Sequence, residues 1–99
     1  MPGVKTKKEY INLLNAELKK SGIDPQFYGL IIDLTAETYV ERDSAYHEFI
    51  ENGGSQVNEK GGTNPYMASL RTWNNAVRAC LAMLRLTPRS VPYPETEIE

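Results

Sequence analysis

Between Pro25 and the Gly53-Gly54 pair the chain contains no proline and a single glycine, Gly29. A stretch without turn residues reads as one long helix, because strands joined by tight turns would need glycine, proline or asparagine at the joints. Asp24-Pro25 supplies the start, an N-cap acid followed by proline at the first helical position. The pattern predicts a helix over about 25–52, roughly 42 Å long at 1.5 Å per residue. Gly29 falls in its first turn and costs only about 1 kcal/mol. Phe27, Leu30, Ile31 and Leu34 crowd the first half of this helix, whereas Tyr39, Val40, Tyr46, Phe49 and Ile50 are spread among charges in the second. So long a helix needs a long partner to bury its apolar residues.

The same punctuation delimits its neighbours. Thr6 and Glu9 match a capping box, which opens a first helix of about 7–21. Gly22 suits the left-handed residue after that helix, with Ile23 as its hydrophobic contact. Asn64-Pro65 repeats the cap-plus-proline start and opens a third helix of about 65–86, after a glycine-flanked loop at 53–63. Thr87-Pro88 is a further start signal, for a short turn through Ser90. Residues 91–99 hold two prolines and three acids and are expected to be a flexible tail. The alternation a sheet needs is absent. The expected fold is all-α: a short N-terminal helix followed by a long antiparallel helical hairpin, residues 1–90 making one domain that forms oligomers.

Met67, Leu70, Asn74, Val77, Leu81 and Leu84 fall at alternating spacings of three and four, the a and d positions of successive heptads. Tyr66, Trp73 and Cys80 widen this seam, and Arg71, Arg78 and Arg85 recur along its edge. Such a seam can pack on the second helix within one chain or join copies. Asn74 at an a position is a device that sets register or oligomer number. Tyr39, Tyr46, Met67, Leu70, Trp73, Asn74, Val77 and Leu81 are the candidate oligomer contacts.

Net charge is only −2, but its distribution is uneven. Lys5, Lys7, Lys8, Lys19 and Lys20 face only Glu9 and Glu17 in the first 23 residues; the next 36 hold eight acids against Arg42. Lys60, Arg71, Arg78, Arg85 and Arg89 follow with no acid until Glu95. A basic–acidic–basic layout implies regions that pair with one another or with an anionic partner. The arginine row could contact phosphates, or the acids Asp33, Glu37, Glu41 and Glu48, within one chain or between neighbours. Candidate contacts to a phosphate-bearing partner are Lys5, Lys7, Lys8, Lys19, Lys20, Arg71, Arg78, Arg85 and Arg89.

Catalytic and cofactor chemistry finds no footing. His47 has no second histidine or cysteine pair beside it, so no metal site is expected. Cys80 reads as a packing residue, not a nucleophile. Neither glycine pair is followed by the Lys-Ser/Thr of a phosphate-binding loop. No cofactor is expected, and the chain reads as a non-enzyme. With no long apolar segment and no leader pattern, no membrane role is expected either.

From Asn64-Pro65, through Leu70, Trp73, Val77 and Leu81, to Leu84-Arg85-Leu86-Thr87-Pro88-Arg89-Ser90, the chain resembles a family of phage terminase small subunits. In that family an Asn-Pro helix start precedes a helix ending in Leu-Gly-Leu-Thr-Pro-x-Ser-Arg. The Tyr39–Arg42 stretch of the long helix and the turn at Leu18–Asp24 suit it as well, so the likeness covers residues 8–90. Two positions depart: Arg85 stands for the glycine, and Val91 for the arginine after Ser90. The resemblance implies a non-catalytic oligomer, commonly a ring, that recognises double-stranded viral DNA and delivers it to the large terminase subunit in the bacterial host cytoplasm. The alternative is a helical protein–protein adaptor that binds no nucleic acid.

Overall fold

The computed structural model describes residues 5–54, 64–87 and 89–93. Within these, α1 spans Lys7–Lys20, α2 Gly29–Glu51 and α3 Pro65–Met83, with a 3-10 turn at Pro25–Tyr28 leading into α2. The described residues are all-helical, with no strand among them. Most of the 53–63 loop, Pro88 and residues 94–99 lie outside the described residues.

The chain makes its helix ends with local chemistry. Thr6 and Glu9 form the reciprocal capping box. Asp24 accepts the Gln26 amide at 3.0 Å, and Asn64 accepts the Tyr66 amide at 3.0 Å, each ahead of its proline. After Pro25 the backbone first tightens into the 3-10 turn, so α2 proper begins at Gly29 and not at Pro25 as the sequence pattern suggested.

All three helices end in the same Schellman geometry, but with different residues at the left-handed position. Gly22 (φ +78°) closes α1 and Gly53 (φ +105°) closes α2. At the end of α3 that position is Arg85, with φ +59°. The Leu86 amide donates to the Leu81 carbonyl at 2.9 Å, the Arg85 amide to the Ala82 carbonyl at 3.0 Å, and Leu86 is buried as the accompanying hydrophobic contact. The third helix therefore stops three residues before the expected 86, and Arg85 sits in the turn after it.

Packing centres on α2. Tyr10, Leu14 and Leu18 of α1 meet Ile32, Ala36 and Tyr39 of α2 in one cluster, completed by Val77, Leu81, Leu84, Leu86 and Val91. Contacts between α2 and α3 pair Asn52 with Asn64, Arg42 with Asn74, and Thr38 with Cys80. Residue numbers fall on one helix as they rise on the other, so the two run in opposite directions. The buried threonines of α2 satisfy their hydroxyls locally: Thr35 and Thr38 donate to the carbonyls of Ile31 and Leu34 at 2.6 and 2.7 Å.

Residues 91–93 are not a loose tail. Val91 is 1% exposed and its carbonyl accepts the Tyr39 hydroxyl at 2.6 Å. Tyr93 lies over the Arg42 guanidinium, 3.8 Å from atom to ring centroid. The stability of α2 thus draws on the segment beyond the last helix turn.

Candidate interaction surfaces

The arginine-and-acid problem posed by the sequence separates into an inner and an outer set of charges. The inner set is Arg42 and Asp43, 3% and 6% exposed. The Arg42 Nη1 lies 3.4 Å from Asp43 Oδ1, and Nε donates to Asn74 Oδ1 at 2.8 Å. Tyr10 donates its hydroxyl to the other Asp43 oxygen. Tyr46 and Tyr93 lie against the guanidinium, and Tyr10 stacks on Tyr39 with centroids 4.5 Å apart. A buried ion pair persists only when its remaining donors and acceptors are satisfied. Here α1, α2, α3 and the C-terminal segment each supply a group. Burial, and for Tyr10 the bond to Asp43, pushes the Tyr10 and Tyr39 hydroxyls well above the usual phenol range, so both stay neutral.

Residues expected to join copies are largely consumed here. Tyr39, Leu70, Val77 and Leu81 are buried within the chain. Asn74 gives its side-chain carbonyl to Arg42, and Tyr46 lies beneath the same guanidinium. Met67 and Trp73 are half-buried. The a/d seam of α3 faces α2 and the core that α1 completes. Asn74 accepts from Arg42 of its own chain at 2.8 Å.

The outer charges behave differently. Lys7 reaches Asp33 at 2.9 Å and Glu37 at 3.0 Å, and those two carboxylates raise its pKa. Lys20 pairs with Glu17 at 3.1 Å. Lys8, Lys19, Arg71, Arg78, Arg85 and Arg89 are exposed and make no ion pair among the described residues. Lys5 is half-buried and engaged.

Geometry explains why the arginine row does not meet the acidic row in one copy. On α2, the row Leu30, Leu34, Glu37, Glu41, Ser44 and Glu48 is exposed throughout and, at about 100° per residue, adjoins the Thr38 flank of the α2–α3 contact. On α3, Arg71 and Arg78 adjoin the Asn74 flank. Thr38 contacts Cys80 on one side of that contact and Arg42 contacts Asn74 on the other. The two rows therefore face away from each other, and the pairing considered within one chain is not made.

An apolar surface that the sequence reading assigned no role adjoins the acidic row. Phe27, Leu30 and Leu34 are 83%, 90% and 49% exposed. Only their three- and four-residue spacing could have marked them, and that spacing equally suits a core. Among the described residues no group of His, Cys, Asp or Glu side chains is placed to hold a metal, and no helix is long and apolar enough to cross a membrane. Cys80 is a buried free thiol against Thr38. No family model matches the chain, and comparison with curated proteins and with solved structures likewise yields no match.

Proposed function

We propose that the chain is a small terminase subunit, a non-catalytic oligomer that recognises double-stranded viral DNA and hands it to a large terminase subunit in the cytoplasm of a bacterial host. The observation that carries this reading is the exposed set Lys8, Lys19, Arg85 and Arg89, cations with no acid partner among the described residues. Unneutralised cations favour a polyanion because each phosphate contact releases condensed counterions. Lys7 and Lys20 contribute less, since acids of the same chain already hold them.

Two further features support the family likeness. Asn64-Pro65 acts as a capped helix start, and Arg85, at the position of the family's glycine, has φ +59°, a conformation that glycine adopts without strain. Val91 stands where the family carries arginine; it is buried here, so Arg89 is the nearest cation to take over a phosphate contact.

A mobility shift of duplex DNA tests the proposal. The expected result is a shift at low salt that weakens steeply as salt rises and is reduced by Lys8→Glu with Lys19→Glu or by Arg89→Glu. Absence of any shift at low salt would overturn it. The exposed side chains Phe27, Leu30 and Leu34 favour a second reading, a protein–protein adaptor without nucleic acid, and that reading would then stand.

A further inference from the structure

The outer row of α2 is a heptad pattern in its own right: Leu30, Leu34, Glu37, Glu41, Ser44 and Glu48 follow steps of four, three, four, three and four. On α3, Arg71, Asn75, Arg78 and Ala82 follow four, three and four, continued by Arg85 in the turn. All of these residues are exposed. The carboxylates of Glu41 and Glu48 have no ion-pair partner among the described residues, nor do Arg71 and Arg78.

We infer that these two rows are the contact between successive copies of this chain, the outer face of α2 in one copy packing antiparallel on the outer face of α3 in the next. One register satisfies both charge pairs together: Glu48 meets Arg71 and Glu41 meets Arg78, because both pairs are separated by seven residues. The same register sets Ser44 beside Asn75, Glu37 beside the small Ala82, and Leu34 level with Arg85. The aliphatic stem of Arg85 can cover Leu34 while its guanidinium stays in water.

Other pairings of the same faces do not match acid to base. An α2 row packed antiparallel on its own copy brings Glu37 against Glu41 and leucine against glutamate. An α3 row packed antiparallel on its own copy sets Arg71 beside Ala82 and Arg78 beside Asn75, so neither cation meets a carboxylate. Like charges held face to face oppose association and unmatched charges add nothing to it, so the arrangement that pairs both rows' charges is the heterologous one. A heterologous contact repeats head to tail and closes into a ring or extends as a filament. Within one copy the two rows face opposite sides, as such an assembly requires.

This surface deepens the proposed function, resting on its claim that copies assemble, and assigns Arg71 and Arg78 to neighbouring subunits in place of DNA. The test compares light-scattering masses of wild type, Arg71→Glu with Arg78→Glu, and Glu41→Arg with Glu48→Arg, all at one concentration and low salt. Wild type is expected well above the 11.2 kDa of one chain, each variant alone near that value with an unchanged helical circular dichroism spectrum, and an equimolar mixture of the two variants again well above it. Reassembly on mixing is particular to this pairing, since the acidic α2 row that one variant keeps matches the basic α3 row that the other keeps, and the two reversed rows match each other.

Wild-type mass retained by either variant, or a mixture that stays monomeric, would overturn the surface while leaving an oligomeric function intact. A monomeric wild type would overturn both. If a variant loses its helical signal, Glu41→Gln with Glu48→Gln replaces it. The neutral pair is then expected to lower the mass and flatten its dependence on salt; an unchanged mass and salt dependence would count against the surface.

Discussion

Arg42 and Asp43 on the inner face of α2 and Glu41 and Glu48 on its outer face belong to one helix, within about two turns of one another. The inner pair is buried and every element around it contributes a partner, whereas the outer acids stand in water with none among the described residues. The inner charges hold the fold together, because a buried charge stripped of its partner is costly. The outer charges contribute little to the fold, because exposed charges interact weakly through water. What they contribute is selectivity for an incoming surface.

The most severe way to break this contrast is Asp43→Ala. It removes the carboxylate beside the buried Arg42 guanidinium and the acceptor of Tyr10, and is expected to cost about 3–5 kcal/mol in urea unfolding, enough to prevent folding of a small domain. A smaller loss than 1 kcal/mol would mean that water replaces the carboxylate and that the inner site is less enclosed than its burial indicates.

Alkaline pH probes the same cluster without mutation. Tyr10 and Tyr39 have pKa values raised above the ordinary 10.0 in the folded chain. Once pH passes about 10, the unfolded chain loses phenolic protons that the folded chain retains. Stability is therefore constant with respect to these groups below pH 10 and falls above it, by about 1.4 kcal/mol per pH unit for each tyrosine. Lys7, raised from 10.5, acts in the same direction, its contribution fading at still higher pH. Tyr10→Phe should flatten the decline in a thermal-unfolding series; an unaltered slope would show that Tyr10 ionises freely.

Tyr39→Phe sharpens the role of the C-terminal segment. It leaves the buried Val91 carbonyl without its donor, for an expected loss of about 1–2 kcal/mol and faster amide exchange at residues 91–93. Arg85→Gly works the other way. A non-glycine residue in the left-handed region is strained, and relief should raise stability by about 1 kcal/mol. On the outer face, Glu48→Gln should change the unfolding free energy of isolated chains by no more than about 0.5 kcal/mol. A large effect there would erase the distinction between the two faces of α2.

Much of the helical layout was legible in the residues themselves. The capping box at Thr6, the proline-led starts at Pro25 and Pro65, and the glycine end at Gly22 are local devices. Their hydrogen bonds span only a few residues, so the local sequence specifies them. The end of α3 was misread for the complementary reason. Arg85 continues an arginine periodicity and carries no glycine signal, yet the burial of Leu86 against the core pulls the chain into a turn that a glycine would ordinarily make. Heptad spacing also placed the seam of α3 correctly on one face, but spacing cannot say whether the covering helix belongs to the same chain.

The candidate surfaces were less accessible for that reason. Phe27, Leu30 and Leu34 have the spacing of core residues, and Arg42 that of a surface cation. Their exchange of places depends on which side of α2 the other helices occupy. The chain on its own determined where helices start, how long they run and which residues within each share a face, since backbone hydrogen bonding and side-chain periodicity act over a few residues. Only the tertiary structure decided which face is enclosed, that Arg42 and Asp43 sit within it, that Tyr93 lies over Arg42 and Val91 bonds Tyr39, and that the arginine and acid rows turn away from each other. Those outcomes depend on burial and on the relative rotation of helices far apart in the chain, which local interactions do not specify.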